Sequence, residues 1–210
     1  ASADQANMDG AKQDGTIDGA DQLFAKNKVV VITPKNSTMV QTIQDMAKPG
    51  LNFVLTDPSV PIGNYSRQIL QKLAQDPSYG AGFDQKVLGN LKSQETDVKA
   101  VVSKVQLGEA DVGMCYSTDA ATAANDVTTI LIPDQFNVVA TYPIALVKGA
   151  PNEAAGQAFI SYVRSPAGQA TLKQYGFIVD SDTGLTSSEI VSSTPAKPVK
   201  DRLLPVRASA

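Results

Sequence analysis

The apolar positions of this chain fall in short blocks set between polar stretches of helical character. Lys28-Val29-Val30-Val31-Ile32 is a β-branched run closed by Pro34, the mark of a buried strand. Before it, Asp4 to Gln13 predicts a short helix broken at Gly15. After it, Ser37 or Thr38 would cap a helix to Ala47, with Pro49-Gly50 as its stop. Leu51 to Thr56 is the next strand. Pro61-Ile62-Gly63 opens a helix to about Ala74 that presents Tyr65, Ile69, Leu70 and Leu73 on one face. Asp84 to Leu91 predicts another helix. Thr96-Asp97 caps a further one, with Val98, Val101, Val102 and Val105 at i, i+3, i+4 and i+7 before Gly108 ends it. A strand from Asp111 to Tyr116, a helix from Thr118 to Ala124 and a strand from Val127 to Ile132 follow. Val138 to Val147 holds one long strand or two, and helices from Asn152 to Arg164 and Pro166 to Tyr175 close the pattern.

Strands and helices alternating at this pace predict an α/β protein with mainly parallel sheets. The periodicity stops after Val179. Asp180 to Pro198 is rich in Ser, Thr, Pro and Asp and reads as a linker or tail, followed by the small apolar patch Leu203 to Val206.

Composition narrows the function classes. Of 210 residues, 42% are apolar and 19% charged, an ordinary balance for a soluble globular chain. With 18 Lys and Arg against 21 Asp and Glu, the net charge is −3. That excludes the basic footprint of a nucleic-acid binder, and an anionic ligand would have to be held by local donors. The chain has one cysteine, Cys115, and no histidine. An internal disulfide is therefore impossible, and the commonest general base and metal ligand is missing. No apolar run approaches the ~18 residues of a membrane span. The opening Ala1-Ser2-Ala3-Asp4-Gln5 has no initiator Met and no signal peptide, as expected of a processed chain or a piece of a longer one.

Two helix starts could hold an anion through unpaired N–H groups and the positive end of the helix dipole. One is Pro61-Ile62-Gly63, where Pro suits the first turn and Gly lets a ligand approach the backbone. The other is Thr96-Asp97-Val98, where the N–H of Val98 would be free. Each is equally readable as an ordinary helix start. Tyr116 ends its strand on the side where ligands enter open parallel sheets, and its phenol could donate a hydrogen bond; packing is the plainer reading. Cys115 has no histidine partner and apolar neighbours, so an inert thiol is expected. Gly80-Ala81-Gly82 lacks the third glycine of a dinucleotide loop. Asp180 to Gly184 has a trace of a calcium loop without its bidentate Glu. Asn36-Ser37-Thr38 and Asn64-Tyr65-Ser66 match the glycosylation pattern, as short stretches often do by chance.

Taken in order, several stretches resemble the bacterial molybdate-binding periplasmic proteins, the solute-binding components of ABC importers. They are Ser2-Ala3-Asp4-Gln5, Asp57-Pro58 with Pro61-Ile62-Gly63-Asn64-Tyr65, Asp97-Val98, Gly113-Met114-Cys115-Tyr116 to Asp119-Ala120, Tyr142-Pro143-Ile144-Ala145 and Tyr175-Gly176-Phe177. The resemblance covers residues 1 to 178. It implies a type II periplasmic-binding-protein fold of two α/β lobes joined by two crossovers. Lobe 1 would be built in part from residues 1–30 and 142–178 and lobe 2 from 31–141, with 179–210 as linker or tail. It further implies that molybdate or tungstate takes hydrogen bonds from the backbone N–H of Ile62, the backbone N–H of Val98 and the hydroxyl of Tyr116. No side chain would ligate the metal directly and no cofactor is expected.

The family usually has Ala where Ile62 stands, so the larger side chain is expected to narrow the cleft. The loop between the Ile62 and Val98 motifs is longer than the family pattern. Family members also carry, before the position of Ser2, a strand–helix–strand–helix–strand region with two serine-bearing loops. This chain is expected to lack it, with the segment removed or supplied elsewhere. The expected partners are a small oxyanion and an ABC permease, the expected state a monomer and the expected location periplasmic or cell-surface. Alternatives are a receptor for sulfate or another small anion, and a ligand-sensing module in a larger assembly. A hydrolase or transferase is disfavoured by the missing histidine, Gly-x-Ser-x-Gly elbow and phosphate loop.

Overall fold

The computed structural model of the protein describes residues 1–179. Helix α1 (Gln5–Gln13) starts where Asp4 accepts the N–H of Asn7. Strand β1 (Ile17–Pro34) is far longer than Lys28–Ile32. Its added half, Ile17 to Asn27, mixes polar and apolar residues without alternation, contains Gly19 at φ +70° and has two register shifts, so period-2 reading misses it. The expected helix from Ser37 or Thr38 to Ala47 does not form. Only a 3₁₀ turn, Gln44–Ala47, is present. The carboxylate of Asp45 takes the N–H groups of Gln41 and Thr42, and Asn36 turns the chain at φ +66°.

The chain continues through β2 (Phe53–Thr56), α2 (Pro61–Ala74), α3 (Phe83–Gly89), β3 (Leu91–Glu95), α4 (Val98–Gln106) and β4 (Val112–Tyr116). Then come α5 (Ser117–Thr122), β5 (Val127–Leu131), β6 (Val139–Val147), α6 (Glu153–Arg164) and α7 (Pro166–Gln174). Strand β3, with the sequence LKSQE, is an unforeseen edge strand. Its alternation of half-buried and exposed residues carries little apolar signal.

The sheet order is β3-β2-β4-β1-β5. Strands β3, β2 and β4 run parallel, and β1 lies antiparallel between β4 and β5. Four of the five strands therefore point one way and β1 is the reversed member. The two faces are read out residue by residue along β1. Val29 and Val31 pack with Phe53, Leu55, Val112 and Met114 against α2 and α3. Val30 and Ile32 pack with Val54 and Cys115 against Val101, Val102 and Val105 of α4. Burial on both faces is why these strands are continuous apolar runs. A Cβ at Gly113 would stand 2.9 Å from Val101 Cγ1, so the glycine lets α4 close on the sheet.

Strand β1 changes partners between Lys28 and Val29. Ile17 to Lys28 pairs with β6, and Val29 to Pro34 with β4 and β5. At the switch, Asn137 imitates a strand neighbour: Oδ1 accepts the N–H of Val29 (3.2 Å) and Nδ2 donates to its carbonyl (2.9 Å). The tail expected from Asp180 onward, with its trace of a calcium loop and the Leu203–Val206 patch, lies outside the described residues.

Candidate functional site

Because β3, β2 and β4 are adjacent and parallel, their C-terminal ends lie along one edge, with Thr56 level with Glu95. Each end turns directly into a helix. Thus α4, α2 and α5 begin side by side, and Val98, Ile62 and Tyr116 all stand on this edge.

The β2–α2 turn is held by Asp57. Its N–H donates to Glu95 O (2.9 Å), and its carboxylate accepts from the N–H and hydroxyl of Ser59, which keeps the carboxyl below its usual range. Pro61 fills the first position of α2, where no N–H is needed. The N–H groups of Gly63 and Asn64 both donate to Val60 O. That of Ile62 meets no protein acceptor among the described residues. A Cβ at Gly63 would lie 2.1 Å from Asp57 O and 2.7 Å from Thr56 O, so only glycine lets this helix start sit on the strand end. The expectation that Ile62 narrows a cleft is overturned. Its side chain is 1% exposed and belongs to the core under α2.

At α4, Asp97 is the cap and its carboxylate accepts the N–H of Ala100 (2.9 Å). The N–H groups of Val98 and Lys99 have no protein acceptor among the described residues. At α5, the N–H of Tyr116 donates to Asp119 Oδ2 (3.3 Å). Burial raises the Asp119 carboxyl, and the hydrogen bond from the Tyr116 N–H, then the charge of Lys99, partly offset the rise. Glu95 accepts from Lys104 Nζ and Ser93 Oγ, both at 2.6 Å. Each carboxylate at the edge, Asp57, Glu95, Asp97 and Asp119, is thus already engaged by a protein donor.

Cross-ties hold the three helix starts together. Arg67, which sequence reasoning missed, donates to Thr56 O (3.2 Å), Gly63 O (2.7 Å) and Gln94 Oε1, joining α2 to β2 and β3. Its position at i+4 from Gly63 was the one available sign. Tyr65 of α2 packs in one cluster with Tyr116, Tyr142, Phe24 and Phe177. The rings of Tyr116 and Tyr142 meet edge-on, 6.3 Å between centroids. Burial raises both phenols, Tyr142 to about 12 and Tyr116 further, so both stay protonated at neutral pH.

The other candidates do not join this edge. Cys115 is fully buried and burial pushes its thiol well up, which makes it inert. Gly80 and Gly82 bracket a turn into α3 after a 3₁₀ segment rather than a strand. Among the described residues no group of three or more His, Cys, Asp or Glu could hold a metal ion, and no helix is long and apolar enough to cross a membrane.

A family model described as bacterial extracellular solute-binding protein matches residues 1–178. The molybdate-binding protein ModA of Mycobacterium tuberculosis is 34% identical over 178 residues, covering 84% of this chain and 64% of that protein. The chain therefore spans less than two thirds of the relative's length. Among solved structures, the sulfate-binding protein SubI of Mycobacterium tuberculosis superposes with a TM-score of 0.73 at 14% identity, covering 90% of this chain and 69% of that one. The periplasmic molybdate-binding protein of Azotobacter vinelandii does so with a TM-score of 0.68 at 19% identity, covering 85% and 76%. These superpositions establish that the chain has the α/β fold of periplasmic binding proteins.

Proposed function

The chain belongs to the bacterial extracellular solute-binding protein family, and from that premise we propose that it captures molybdate or tungstate outside the cytoplasm for an ABC permease. The observation that carries the reading is the shared edge itself: uncommitted N–H groups of Ile62 and Val98 on the same edge as the half-buried Tyr116, with the carboxylates of Asp57, Glu95, Asp97 and Asp119 already engaged. The likeness to a molybdate-binding relative at 34% identity supports the choice of ligand.

Neutral donors can grip a dianion because they are fixed before the ligand arrives. Where water is excluded, each charge-assisted hydrogen bond gains strength. The helix dipoles of α2 and α4 add a partial positive charge at the same place. A donor-only lining also selects. Hydrogen phosphate would bury a hydroxyl with no acceptor, at a cost of about 1–3 kcal/mol, whereas molybdate, tungstate and sulfate present acceptors alone.

Residues 31–141 form the lobe that carries these donors, and residues 1–30 with 142–178 contribute to the facing lobe. Bending where β1 changes partners at Lys28 and Val29, and where the chain returns into β6, would close one lobe on the other. The protein has no catalytic step and works as a monomer. Calorimetry on the full-length protein with molybdate, tungstate, sulfate and phosphate tests the reading. Tight molybdate and weak phosphate are expected. Phosphate bound as tightly as molybdate, or no oxyanion bound at all, rejects it. Sulfate as the tightest ligand would move the assignment to a sulfate receptor.

A further inference from the structure

Arg67 lies in the second turn of α2, and its guanidinium reaches back to the helix start. Nη1 donates to Gly63 O (2.7 Å) and Thr56 O (3.2 Å), and Nη2 donates to Gln94 Oε1. The first acceptor belongs to the turn that carries Ile62, and the second ends β2. The third lies on β3, three residues before the Asp97 cap of α4. One planar group therefore spans the two strand-to-helix turns whose amides, Ile62 and Val98, meet no protein acceptor among the described residues. The N–H of Asp57 joins the same turns at another point, on Glu95 O (2.9 Å). One bond leaves a pivot, and a second bond away from it fixes the angle. Helix carbonyls point away from the end where the first N–H groups are exposed, so Arg67 grips Gly63 O from behind the site.

We infer that Arg67 is a positioning residue that sets the spacing of the Ile62 and Val98 amides, and with it the size of anion they grip; the inference rests on the oxyanion reading above. A guanidinium carries its donors in a rigid plane, so acceptors on β2, α2 and β3 are held in one fixed relation. A lysine ammonium is a compact charge on a flexible stem and cannot hold that relation. Arg67 thus works through the backbone, and its charge alone is not what the site uses. Tyr116 is held by other means. Asn27, fully buried in β1, accepts from Ser117 Oγ (2.7 Å) and donates to Thr118 Oγ1 (2.8 Å), the two residues that follow Tyr116. Loss of the Arg67 fork therefore loosens the two amides and leaves the phenol in place. Sulfate is smaller than molybdate, so amides free to shift discriminate less between the two.

The test compares full-length wild type with Arg67→Lys, Arg67→Gln and Gln94→Ala. Gln94 is exposed, so its truncation keeps the question open to measurement even if an Arg67 variant does not fold. Calorimetry with sodium molybdate and with sodium sulfate gives the affinity ratio, melting temperature reports the fold, and amide NMR follows Ile62 and Val98 as molybdate is added. In wild type both amide signals are expected to shift. Both Arg67 variants are expected to weaken the preferred anion about 3- to 10-fold, the effect of one net hydrogen bond, and to bring the two affinities together. Gln94→Ala is expected to move the ratio the same way by less, and to add nothing in the Arg67→Lys background. Wild-type affinity and ratio in Arg67→Lys would show that charge suffices and overturn the spacing role. Variants that melt earlier with an unchanged ratio overturn it too, as does a Gln94→Ala effect that adds in full to that of Arg67→Lys. Wild-type amides that stay put while an oxyanion binds, or no oxyanion bound, overturn the reading of the site itself.

Discussion

At Gly63 the constraint on the site is steric, since an added Cβ would stand only 2.1 Å from Asp57 O. Any side chain there meets Asp57 O and Thr56 O, both backbone atoms at the end of a buried strand that cannot swing aside. Gly63→Ala must therefore lift the first turn of α2 off the sheet, taking the N–H of Ile62 with it. Overpacking of this kind costs about 1–3 kcal/mol. The variant should melt earlier and, once folded, bind molybdate disproportionately weakly. Calorimetry beside thermal unfolding separates the two effects, and an affinity equal to wild type would show that the Ile62 amide is not a ligand donor. That position 63 needs a small residue was legible in Pro61-Ile62-Gly63, but the reason was not: the sequence suggested room for a ligand, and the structure shows the glycine admitting two backbone carbonyls. Arg67 and Asn27 were not. Arg67 binds carbonyls on another strand, and Asn27 finds its partners some 90 residues away, separations that no local pattern encodes. Tyr142 entered only as part of the family motif, because its ring neighbours Phe24, Tyr116 and Phe177 come from distant parts of the chain.

Elements divide in the same way. Helices α2 and α4 begin and end where caps and periodicity place them, because their determinants are local: Pro61 at one start, Asp97 at the other, Gly108 at φ +72° after the second. Strand β3 escaped notice because it is held by side chains at its end rather than by apolar burial. Lys104 of α4 reaches Glu95 at 2.6 Å and Ser93 at 3.1 Å, tying the helix that presents Val98 to the strand that precedes it. The hydrogen bond from Lys104, then that from Ser93, lowers the Glu95 carboxyl below its ordinary 4.5. A depressed carboxyl stabilises the folded state above its unfolded pKa and loses that contribution as pH falls through the folded value. Glu95→Gln should therefore destabilise the protein at neutral pH by about 0.5–1 kcal/mol, as expected for a solvent-accessible pair. The difference should shrink below pH 4.5 and vanish in stronger acid. Melting curves taken across that range check the sign, and a gap that persists in acid would mean packing rather than charge.

For the whole molecule, the proposed function raises the question of what would draw a dianion to a chain whose formal charge is −3. Long-range attraction does not, and no cation at the edge is committed to the ligand: Arg67 is spent on two carbonyls and an amide, Lys104 on Glu95, and Lys99 stands beside Asp119. On the function proposed above, the grip comes from short-range dipoles in a site that closes around the ligand. Ions in solution screen exposed charges over about 8 Å at physiological strength but reach poorly into such a site. Affinity for molybdate should therefore change only modestly as sodium chloride is raised from low to molar concentration, whereas capture by surface lysines or arginines would collapse. Bound ligand should also raise the melting temperature in step with its concentration, since a ligand at 100 times its Kd stabilises the native state by about 2.7 kcal/mol. If that stabilisation disappears in high salt while the protein stays folded, the ligand is held by exposed cations, and the neutral-donor edge of Ile62, Val98 and Tyr116 is not its site.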